Sequence, residues 1–422
     1  MAFNDRAKFE KILFEELVPA MGCTEPIALA YGAAYAVSLL GILPTKIDVY
    51  VSGNLVKNAK SVTVPNTDGL SGIEAAVAAG AVSGKPEAKL EVLATLNDND
   101  RESIRKYLSQ KRISVTLADT ELSFDFTVKA YAGDHLAVVR LINAHTNVVY
   151  AELDGRILLD NSTVGADHDG MSDHSFLSVE SIVEYVNNAD ISSVRELIER
   201  QIDYNIAISD EGLKNSWGAS IGSTLLALAN DSVTKAKARA AAASDARMNG
   251  CPMPVIIVSG SGNQGITACV PVVSYAEDIG ADKERLVRAV LLSDLITLHL
   301  KSSIGRLSAF CGAVCAGVGA GAGICYLEGG GFREIAHTVV NAIAISSGII
   351  CDGAKSSCAG KIALSVEAGI LGWQMYKNGK QFHGGEGIIT KGVENTIRNM
   401  GLLGNEGMKE TDRMIMEIML RS

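Results

Sequence analysis

The chain has 422 residues, of which 47% are hydrophobic but only 5% aromatic, so its interior must be built mainly from Ala, Val, Ile and Leu. Its 42 glycines stand against only 8 prolines, which excludes collagen-like and proline-rich disordered proteins. Acidic residues outnumber basic ones by 48 to 38, giving a net charge of −10. Because nucleic-acid binding depends on basic residues that neutralise phosphate, this balance argues against a nucleic-acid partner.

The sequence carries no pattern typical of export or of a membrane anchor. Residues 1–20 alternate charged and apolar side chains and lack the continuous apolar core of a secretory signal. One uncharged stretch, 307–327, is long enough to span a membrane, but its glycine and cysteine content favours a buried segment. We therefore expect a cytoplasmic protein with no membrane partner.

The N-terminal residues are predicted to be helical. Apolar residues recur at helical spacing over 9–18, and a run rich in Ala, Leu and Val covers 28–40. Between them, Gly22-Cys23-Thr24-Glu25-Pro26 predicts an irregular break, with the proline in the first turn of the second helix. We expect residues 1–44 to form a helical segment that packs on the core domain.

From residue 45 the hydrophobic period changes to two, which predicts β-strands. A helix is predicted over 71–82, opened by the capping-box pattern Ser71-x-x-Glu74. Residues 45–165 are therefore predicted to form a small α/β domain. Its predicted strands are 47–51, 90–96, 113–117, 124–128 and 137–142.

After about residue 175 helical patterns replace the strand signals. The pattern Ser193-x-x-Glu196 predicts a helix start. We assign an α+β fold in which residues 166–422 form an all-helical core domain beside the smaller α/β unit. Its other predicted helical stretches are 215–248, 275–300, 333–350, 360–377 and 388–421, with glycine-rich joints between them.

Eight cysteines are the most informative residues of the chain. A disulfide framework is not expected in a cytosolic protein of this size, and the paired Cys-x2-Cys knuckles of a zinc ribbon are missing. Glycines near Cys311, Cys351 and Cys358 let backbone N–H groups approach the sulfur, which suits thiolates bound to an iron–sulfur cluster. The same surroundings suit inert thiols in a core of small residues, so the residues alone leave both interpretations open.

The spacing of these three cysteines, together with the GCTEP segment, resembles the L-cysteine desulfidase family, which is related to the iron–sulfur L-serine dehydratases through their alpha chain. The resemblance extends to Ser259-Gly260-Ser261-Gly262-Asn263-Gln264-Gly265, to His299-Leu300-Lys301 and to His383-Gly384-Gly385-Glu386-Gly387. It implies that residues 166–422 are the catalytic domain and that Cys311, Cys351 and Cys358 bind a [4Fe–4S] cluster.

The resemblance further implies an L-cysteine desulfidase that needs no pyridoxal phosphate. Three cysteine ligands leave one iron without a protein thiolate, and such an iron acts as a Lewis acid on the β-sulfur of L-cysteine. A base removes the α-proton, HS⁻ departs, and the resulting aminoacrylate hydrolyses to pyruvate and ammonia. We expect an oxygen-sensitive lyase of cysteine catabolism that forms hydrogen sulfide, and a homo-oligomer with a dimer as the expected state.

The role of Cys23 stays open between three assignments. Because it lies in the break before a helix, where the helix end favours an anion, it is a candidate catalytic base with a lowered pKa. The alternatives are a displaceable fourth ligand of the cluster and a structural thiol. As a base, Cys23 would act beside Thr24 and Glu25, which would hold the carboxylate and ammonium groups of the substrate.

Three further segments have open assignments. Gly260-x-Gly262-x-x-Gly265 formally matches a dinucleotide fingerprint, but it also fits a tight turn or, as the resemblance implies, a substrate-binding nest with Asn263, Gln264 and Gly265. Lys301 is a candidate for binding the substrate carboxylate, or simply extends from a helix end. His383 and Gly384 are expected to contact substrate or cluster, with an ordinary loop histidine as the alternative.

Other interpretations compete with the desulfidase. Asp167-His168-Asp169 and Asp173-His174 suggest a divalent-metal site, although a solvated joint between domains is the expected interpretation. The nearest rival function is an iron–sulfur L-serine dehydratase, with water as the leaving group. A cluster-carrying sensor without turnover and a membrane-embedded carrier are more remote.

Overall fold

The computed structural model describes residues 6–161, 172–305 and 307–421, and over these ranges the fold is α+β, as predicted. The predicted domain boundary at 165/166 and the segment Asp167-His168-Asp169 lie outside them. The strands are β1 (Pro19–Met21), β2 (Lys46–Val51), β3 (Ile113–Leu117), β4 (Asp125–Ala132), β5 (His135–Ile142), β6 (Val148–Leu153), β7 (Arg156–Asp160) and β8 (Pro254–Ile256). The helices are α1 (Arg6–Glu16), α2 (Thr24–Leu40), α3 (Gly53–Ala59), α4 (Ile73–Ser83), α5 (Asp98–Ser109), α6 (Val179–Asn188), α7 (Ser192–Lys214), α8 (Ile221–Leu228), α9 (Ser232–Met248), α10 (Gly262–Ile279), α11 (Lys283–Ile304), α12 (Gly312–Leu327), α13 (Phe332–Ser346), α14 (Cys358–Lys377), α15 (Val393–Leu402) and α16 (Lys409–Arg421).

Six strands form one sheet in the order β3-β2-β4-β5-β6-β7. The pair β2 and β3 is parallel, whereas the other neighbours are antiparallel. Ile47, Val49 and Val51 alternate into the core and are fully buried, because α2 packs against this sheet. The alternating pattern therefore predicted β2, β3, β4 and β5 correctly, while β6 and β7 were not predicted.

Several local predictions are wrong. The stretch 90–96 is not a strand: a 3₁₀ turn at Pro86–Glu91 leads into further turns, and its apolar residues are buried beneath α2. Helix α4 begins at Ile73, and its N-cap residue is Gly72, which has φ of +94°. Ser71 is therefore not the N-cap residue of this helix. Helix α7 begins at Ser192, one residue before the predicted capping box. Capping motifs fail here because tertiary packing overrides local preference.

The helical region is packed through residues without large side chains. Helix α12 lies against α10, α11, α13 and α14, and it occupies most of the uncharged stretch 307–327. A Cβ atom built on Gly369 of α14 would lie 2.0 Å from the carbonyl oxygen of Gly317 on α12, so only glycine allows this approach. Among the described residues, no helix has the length and apolar character needed to cross a membrane.

A two-stranded sheet connects the start of the chain to the helical region. Strand β1 pairs antiparallel with β8, with Pro19 opposite Ile256 and Met21 opposite Pro254. The region predicted to be all-helical therefore contains one short strand. This pairing matters for the site, because each strand leads directly into a segment singled out in the sequence.

Candidate active site

One cavity of about 100 Å³ lies where these segments meet. By a measure in which one water needs about 10–15 Å³, it has room for a group of several non-hydrogen atoms. Its walls come from parts of the chain that are more than 300 residues apart in sequence. Nine of the predicted site residues line it: Cys23, Thr24, Glu25, Asn263, Gln264, Lys301, Cys311, Cys351 and Cys358.

The β1–β8 pair positions the GCTEP segment beside the glycine-rich turn. Gly22 turns the chain with φ of +61°, and a Cβ there would lie 2.7 Å from Pro65, so this position requires glycine. Cys23 is the residue that precedes α2. The Thr24 hydroxyl lies 3.0 Å from the carbonyl oxygen of Gly260, which joins the two turns directly.

Backbone pairing brings Cys311 and Cys351 together. Phe310 and Ile350 form an isolated antiparallel bridge. The Cys311 N–H donates to the Ile349 carbonyl at 3.0 Å, and the Cys351 N–H donates to the Ala309 carbonyl at 2.6 Å. The forty-residue spacing in sequence therefore becomes direct proximity in the fold.

Cys358 reaches the same cavity from the first residue of α14, and a sharp turn precedes it. Gly353 has φ of +92°, and a Cβ there would lie 2.2 Å from the Lys57 carbonyl oxygen. The Cys358 thiol donates to the Gly353 carbonyl oxygen at 3.7 Å. The chain between the second and third cysteines is thus folded tightly against α3.

Four helices begin at this cavity. Cys23 precedes α2, Cys311 precedes α12, Cys358 opens α14, and Asn263 and Gln264 lie in the first turn of α10. Helix N-termini carry unpaired N–H groups and partial positive charge, so they stabilise anions. Thiolates and a substrate carboxylate are the anions that the described lining can accommodate.

A hydrogen bond between the Cys311 and Cys351 thiols shifts the pKa values of the two groups in opposite directions. The hydrogen bond from Cys311 is the main cause that lowers the pKa of Cys351 to about 5. The Lys57 ammonium lowers this pKa further, whereas burial opposes the shift. The same hydrogen bond, together with burial, raises the pKa of Cys311. A thiolate is the form that binds metals, so Cys351 is prepared for a metal ligand role.

Cys23 does not have the lowered pKa that its helix position predicted. Burial, followed by the nearby Glu25 carboxylate, raises the pKa of the Cys23 thiol well above its ordinary value, and Arg247 opposes this only in part. The thiol donates to Glu25 Oε2 at 3.1 Å, and the Thr24 hydroxyl also lies 3.1 Å from that oxygen. The prediction failed because burial of the thiol, reinforced by the Glu25 carboxylate, raises the pKa of Cys23 by more than one helix end lowers it.

Sequence reasoning missed three polar residues of the cavity lining, Arg247, Asn58 and Ser308. Arg247 lies in the last turn of α9 and is only 2% exposed. Its Nη1 donates to Asn263 Oδ1 at 3.1 Å. The one signal for Arg247 in the sequence was its place at the end of an alanine-rich helix. A helix face made of alanine is expected to be buried, and a charged side chain is unusual there.

Three of the predicted site residues do not line this cavity. Gly265 is packed against β8, where a Cβ would lie 2.0 Å from the Ile256 carbonyl oxygen. His383 and Gly384 border a second cavity, of about 370 Å³, beside α13 and the start of α15. His383 is exposed there, and its backbone N–H donates to Glu386 Oε2 at 3.0 Å.

The dinucleotide interpretation of Gly260-x-Gly262-x-x-Gly265 does not fit the fold. A dinucleotide-binding turn follows a strand of a parallel sheet. Here the turn follows β8, which has three residues and pairs antiparallel with β1. The glycines instead seat α10 closely against β8 and Arg247.

The residues of the cavity fit an iron–sulfur cluster better than a single metal ion. Among the described residues, no group of three or more His, Cys, Asp or Glu side chains is arranged around one ion. A cluster needs a wider arrangement, because each thiolate binds its own iron. Cys311, Cys351 and Cys358 line one cavity from three separate segments, together with Cys23, whereas Cys251, Cys269, Cys315 and Cys325 do not line it.

The chain is similar to known proteins over most of its length. The sequence profile of the serine dehydratase alpha chain family matches residues 87–417. A UPF0597 protein of Desulfitobacterium hafniense is 54% identical over 410 residues, which cover 97% of this chain and 95% of that protein. UPF0597 proteins of Lachnoclostridium phytofermentans and Treponema denticola are 46% and 40% identical over at least 98% of this chain and 99% of each relative. The chain therefore belongs to the serine dehydratase alpha chain family, a lyase family of the iron–sulfur type.

Proposed function

We propose that this protein is an iron–sulfur L-cysteine desulfidase, which converts L-cysteine and water into pyruvate, ammonia and hydrogen sulfide. The observation that carries the proposal is the single cavity in which Cys311, Cys351 and Cys358 meet the GCTEP segment. The three cysteines and this segment are the features by which the sequence resembles desulfidases.

In this proposal Cys311, Cys351 and Cys358 hold a [4Fe–4S] cluster. When bound, the cluster supplies an iron without a protein thiolate, which is a Lewis acid toward the β-substituent of an amino acid. The three cysteine-bearing segments are fixed by backbone hydrogen bonds and by helix starts, so the thiols are positioned before any ligand arrives. Phe310, which is 1% exposed, helps to exclude water from this end of the cavity.

Cys23 is the proposed base for the α-proton. Its thiol is 3% exposed and donates to Glu25 Oε2 at 3.1 Å, a hydrogen bond that orients the sulfur within the cavity. The raised pKa of Cys23 makes its thiolate a strong base once the thiol proton has left. Glu25 and Thr24 then lie beside the α-carbon, where a carboxylate and a hydroxyl can bind the ammonium group.

L-serine dehydration is the second candidate, and the name of the matched family favours it. Both reactions use the same elimination and differ only in the leaving group. The GCTEP and HGGEG segments support the thiol substrate, since the sequence resembles desulfidases there.

Two parallel assays test the proposal on anaerobically purified protein. We expect sulfide and pyruvate from L-cysteine in equal amounts, and a value of kcat/KM for L-serine that is at least tenfold lower. A larger kcat/KM for L-serine would replace the desulfidase with the dehydratase. No product from either amino acid, in protein with a full complement of iron, would reject both and favour a sensor without turnover.

A further inference from the structure

Arg247 is a buried cation for which the protein supplies little compensation. Its side chain is 2% exposed, and it forms no ion pair among the residues that the structure describes. Within the described ranges its Nε has no hydrogen-bond partner, while Nη1 hydrogen-bonds to the neutral Asn263 Oδ1 at 3.1 Å and to Met248 Sδ at 4.0 Å. Burying an unpaired charge is costly, so such a residue calls for a counter-charge.

The surrounding chain is shaped to hold this guanidinium. A Cβ atom on Gly262 would lie 2.3 Å from Arg247 Nε, so the glycine at the start of α10 makes the room for it. The C-terminal turn of α9 favours a cation, but only by a fraction of the cost of burial. The absence of a side chain at Gly262 therefore provides the space that the Arg247 guanidinium occupies.

The charges that line the cavity leave Arg247 available for a ligand. Glu25 is the only acidic residue of the described lining, and its Oε2 already lies 3.1 Å from both the Cys23 thiol and the Thr24 hydroxyl. Lys301 donates to the Gly305 carbonyl oxygen at 2.5 Å. Gln264, next to Asn263, is 4% exposed. Its Oε1 has no hydrogen-bond partner in the described structure, so a second polar group of the cavity is available to bind a ligand.

We infer that Arg247 binds the α-carboxylate of the substrate and so restricts the site to α-amino acids, a role that the sequence had led us to expect of Lys301 or the GCTEP segment. This inference rests on the proposed function and deepens it. A guanidinium can donate two parallel hydrogen bonds to a carboxylate, which fixes its orientation as well as its position. Arg247 lies within electrostatic range of Cys23, Glu25 and Cys358, so a carboxylate bound there brings the α-carbon next to the proposed base.

A pair of ligands that differ only in the carboxylate tests this role. L-cysteine and cysteamine share the thiol and the amine, but cysteamine lacks the carboxylate. Anaerobic calorimetry is done in a Cys23→Ala background, in which L-cysteine should bind but turn over slowly. There, Arg247→Gln should raise the Kd for L-cysteine about tenfold or more, the usual effect of losing a charge-assisted hydrogen bond. The Kd for cysteamine should change by less than about twofold.

Two further variants keep the test decisive if Arg247→Gln fails to fold. Arg247→Lys retains the charge but loses the paired donors, so it should also weaken L-cysteine selectively, by a smaller factor. Lys301→Gln is the comparison for the rival cation, and it should change both Kd values by the same factor. Iron content and thermal unfolding of each variant report whether the site is intact.

The outcomes separate this inference from the proposed function. Equal weakening of both ligands in the Arg247 variants, or selective loss of L-cysteine in Lys301→Gln alone, would overturn the role of Arg247. Carboxylate-selective binding through Arg247 without any sulfide formation would support the inference while rejecting the desulfidase. If L-serine proves to be the substrate, the same comparison uses L-serine and ethanolamine.

Discussion

The turns of the sheet and the α12–α14 helix pair use glycine in opposite ways. At the β4–β5 and β6–β7 turns, Gly133 and Gly155 have φ of +59° and +79°, and a Cβ there would meet nothing within 4 Å. In the helical region, Gly317 and Gly369 are in regular helices, and a Cβ on either would lie 2.0–2.3 Å from a backbone carbonyl oxygen of the facing helix. The first pair serves backbone conformation, whereas the second sets the distance between helices.

The close contact of α12 and α14 bears on the candidate site, because both helices begin at its cavity. Sheet strands are spaced by their hydrogen bonds whatever the side chains are, but the spacing of α12 and α14 depends on the absence of side chains. Cys311, which precedes α12, and Cys358, which opens α14, are therefore held at the starts of two helices whose backbones are in close contact. Only α2 packs on the sheet and also begins at the cavity, with Cys23 before its first turn.

The largest effect is expected for the three proposed cluster ligands, all of them in the helical region. Cys311→Ser, Cys351→Ser and Cys358→Ser should each lose most of the iron of anaerobically purified protein, because an alkoxide is a poor replacement for a thiolate. Iron per chain and visible absorption are the measurements.

Matched controls come from thiols of the same region that lie in packed helices or beside them. Cys251→Ser, Cys269→Ser and Cys325→Ser should retain nearly full iron, and so should Cys315→Ser, because none of these four thiols lines the cavity. Loss of iron in one of these four, with retention in Cys358→Ser, would show that the ligand set is wrong.

The next largest effect concerns Cys23, where the two regions meet. Cys23→Ala should retain its iron and bind L-cysteine, while kcat falls by about 10²–10⁴-fold, the usual contribution of a positioned base. Cys23→Ser is the matched variant, with a hydroxyl in place of the thiol.

Iron content distinguishes the roles of Cys23 that the sequence left open. A fourth ligand would show as loosened iron and greater oxygen sensitivity in Cys23→Ser, with activity spared in freshly reconstituted enzyme. Normal iron together with normal kcat in Cys23→Ala would leave only the structural role.

Glycine substitutions test the comparison itself. Gly369→Ala should lower the free energy of unfolding by about 3 kcal/mol or more, since neither backbone can move away without separating two helices. Gly133→Ala should lower the free energy of unfolding by only about 1 kcal/mol, because alanine is disfavoured at the positive φ of this residue. Gly360→Ala, in the same helix as Gly369 but with nothing within 4 Å of the added atom, should cost nothing. Urea unfolding of the three variants gives the ranking, and a larger cost at Gly133 than at Gly369 would refute our account.

The smallest effect is expected at the second cavity. His383→Ala should change kcat/KM for L-cysteine by less than about twofold and leave iron unaltered, because His383 is exposed and lies outside the cysteine-lined cavity. A fall of more than tenfold would mean that this loop reaches the site in the working enzyme, as the sequence had led us to expect.

The sequence by itself determined the parts of this protein that depend on local periodicity or on spacing. Alternation at Ile47, Val49 and Val51 identified β2 because a strand with one buried face must alternate. The cysteine spacing and the GCTEP segment identified the family. Together with the segments around Asn263 and Lys301, they supplied nine residues of one cavity.

Only the tertiary structure decided how these residues meet. The pairing of β1 with β8 and of Phe310 with Ile350 joins segments that no local pattern relates, and the buried position of Arg247 follows from helix packing. The pKa of Cys23 likewise depends on Glu25 and on burial rather than on its helix alone. The physical reason is range: periodicity reports which face of an element is buried, whereas contacts and electrostatics at a site are set by residues far away in the chain.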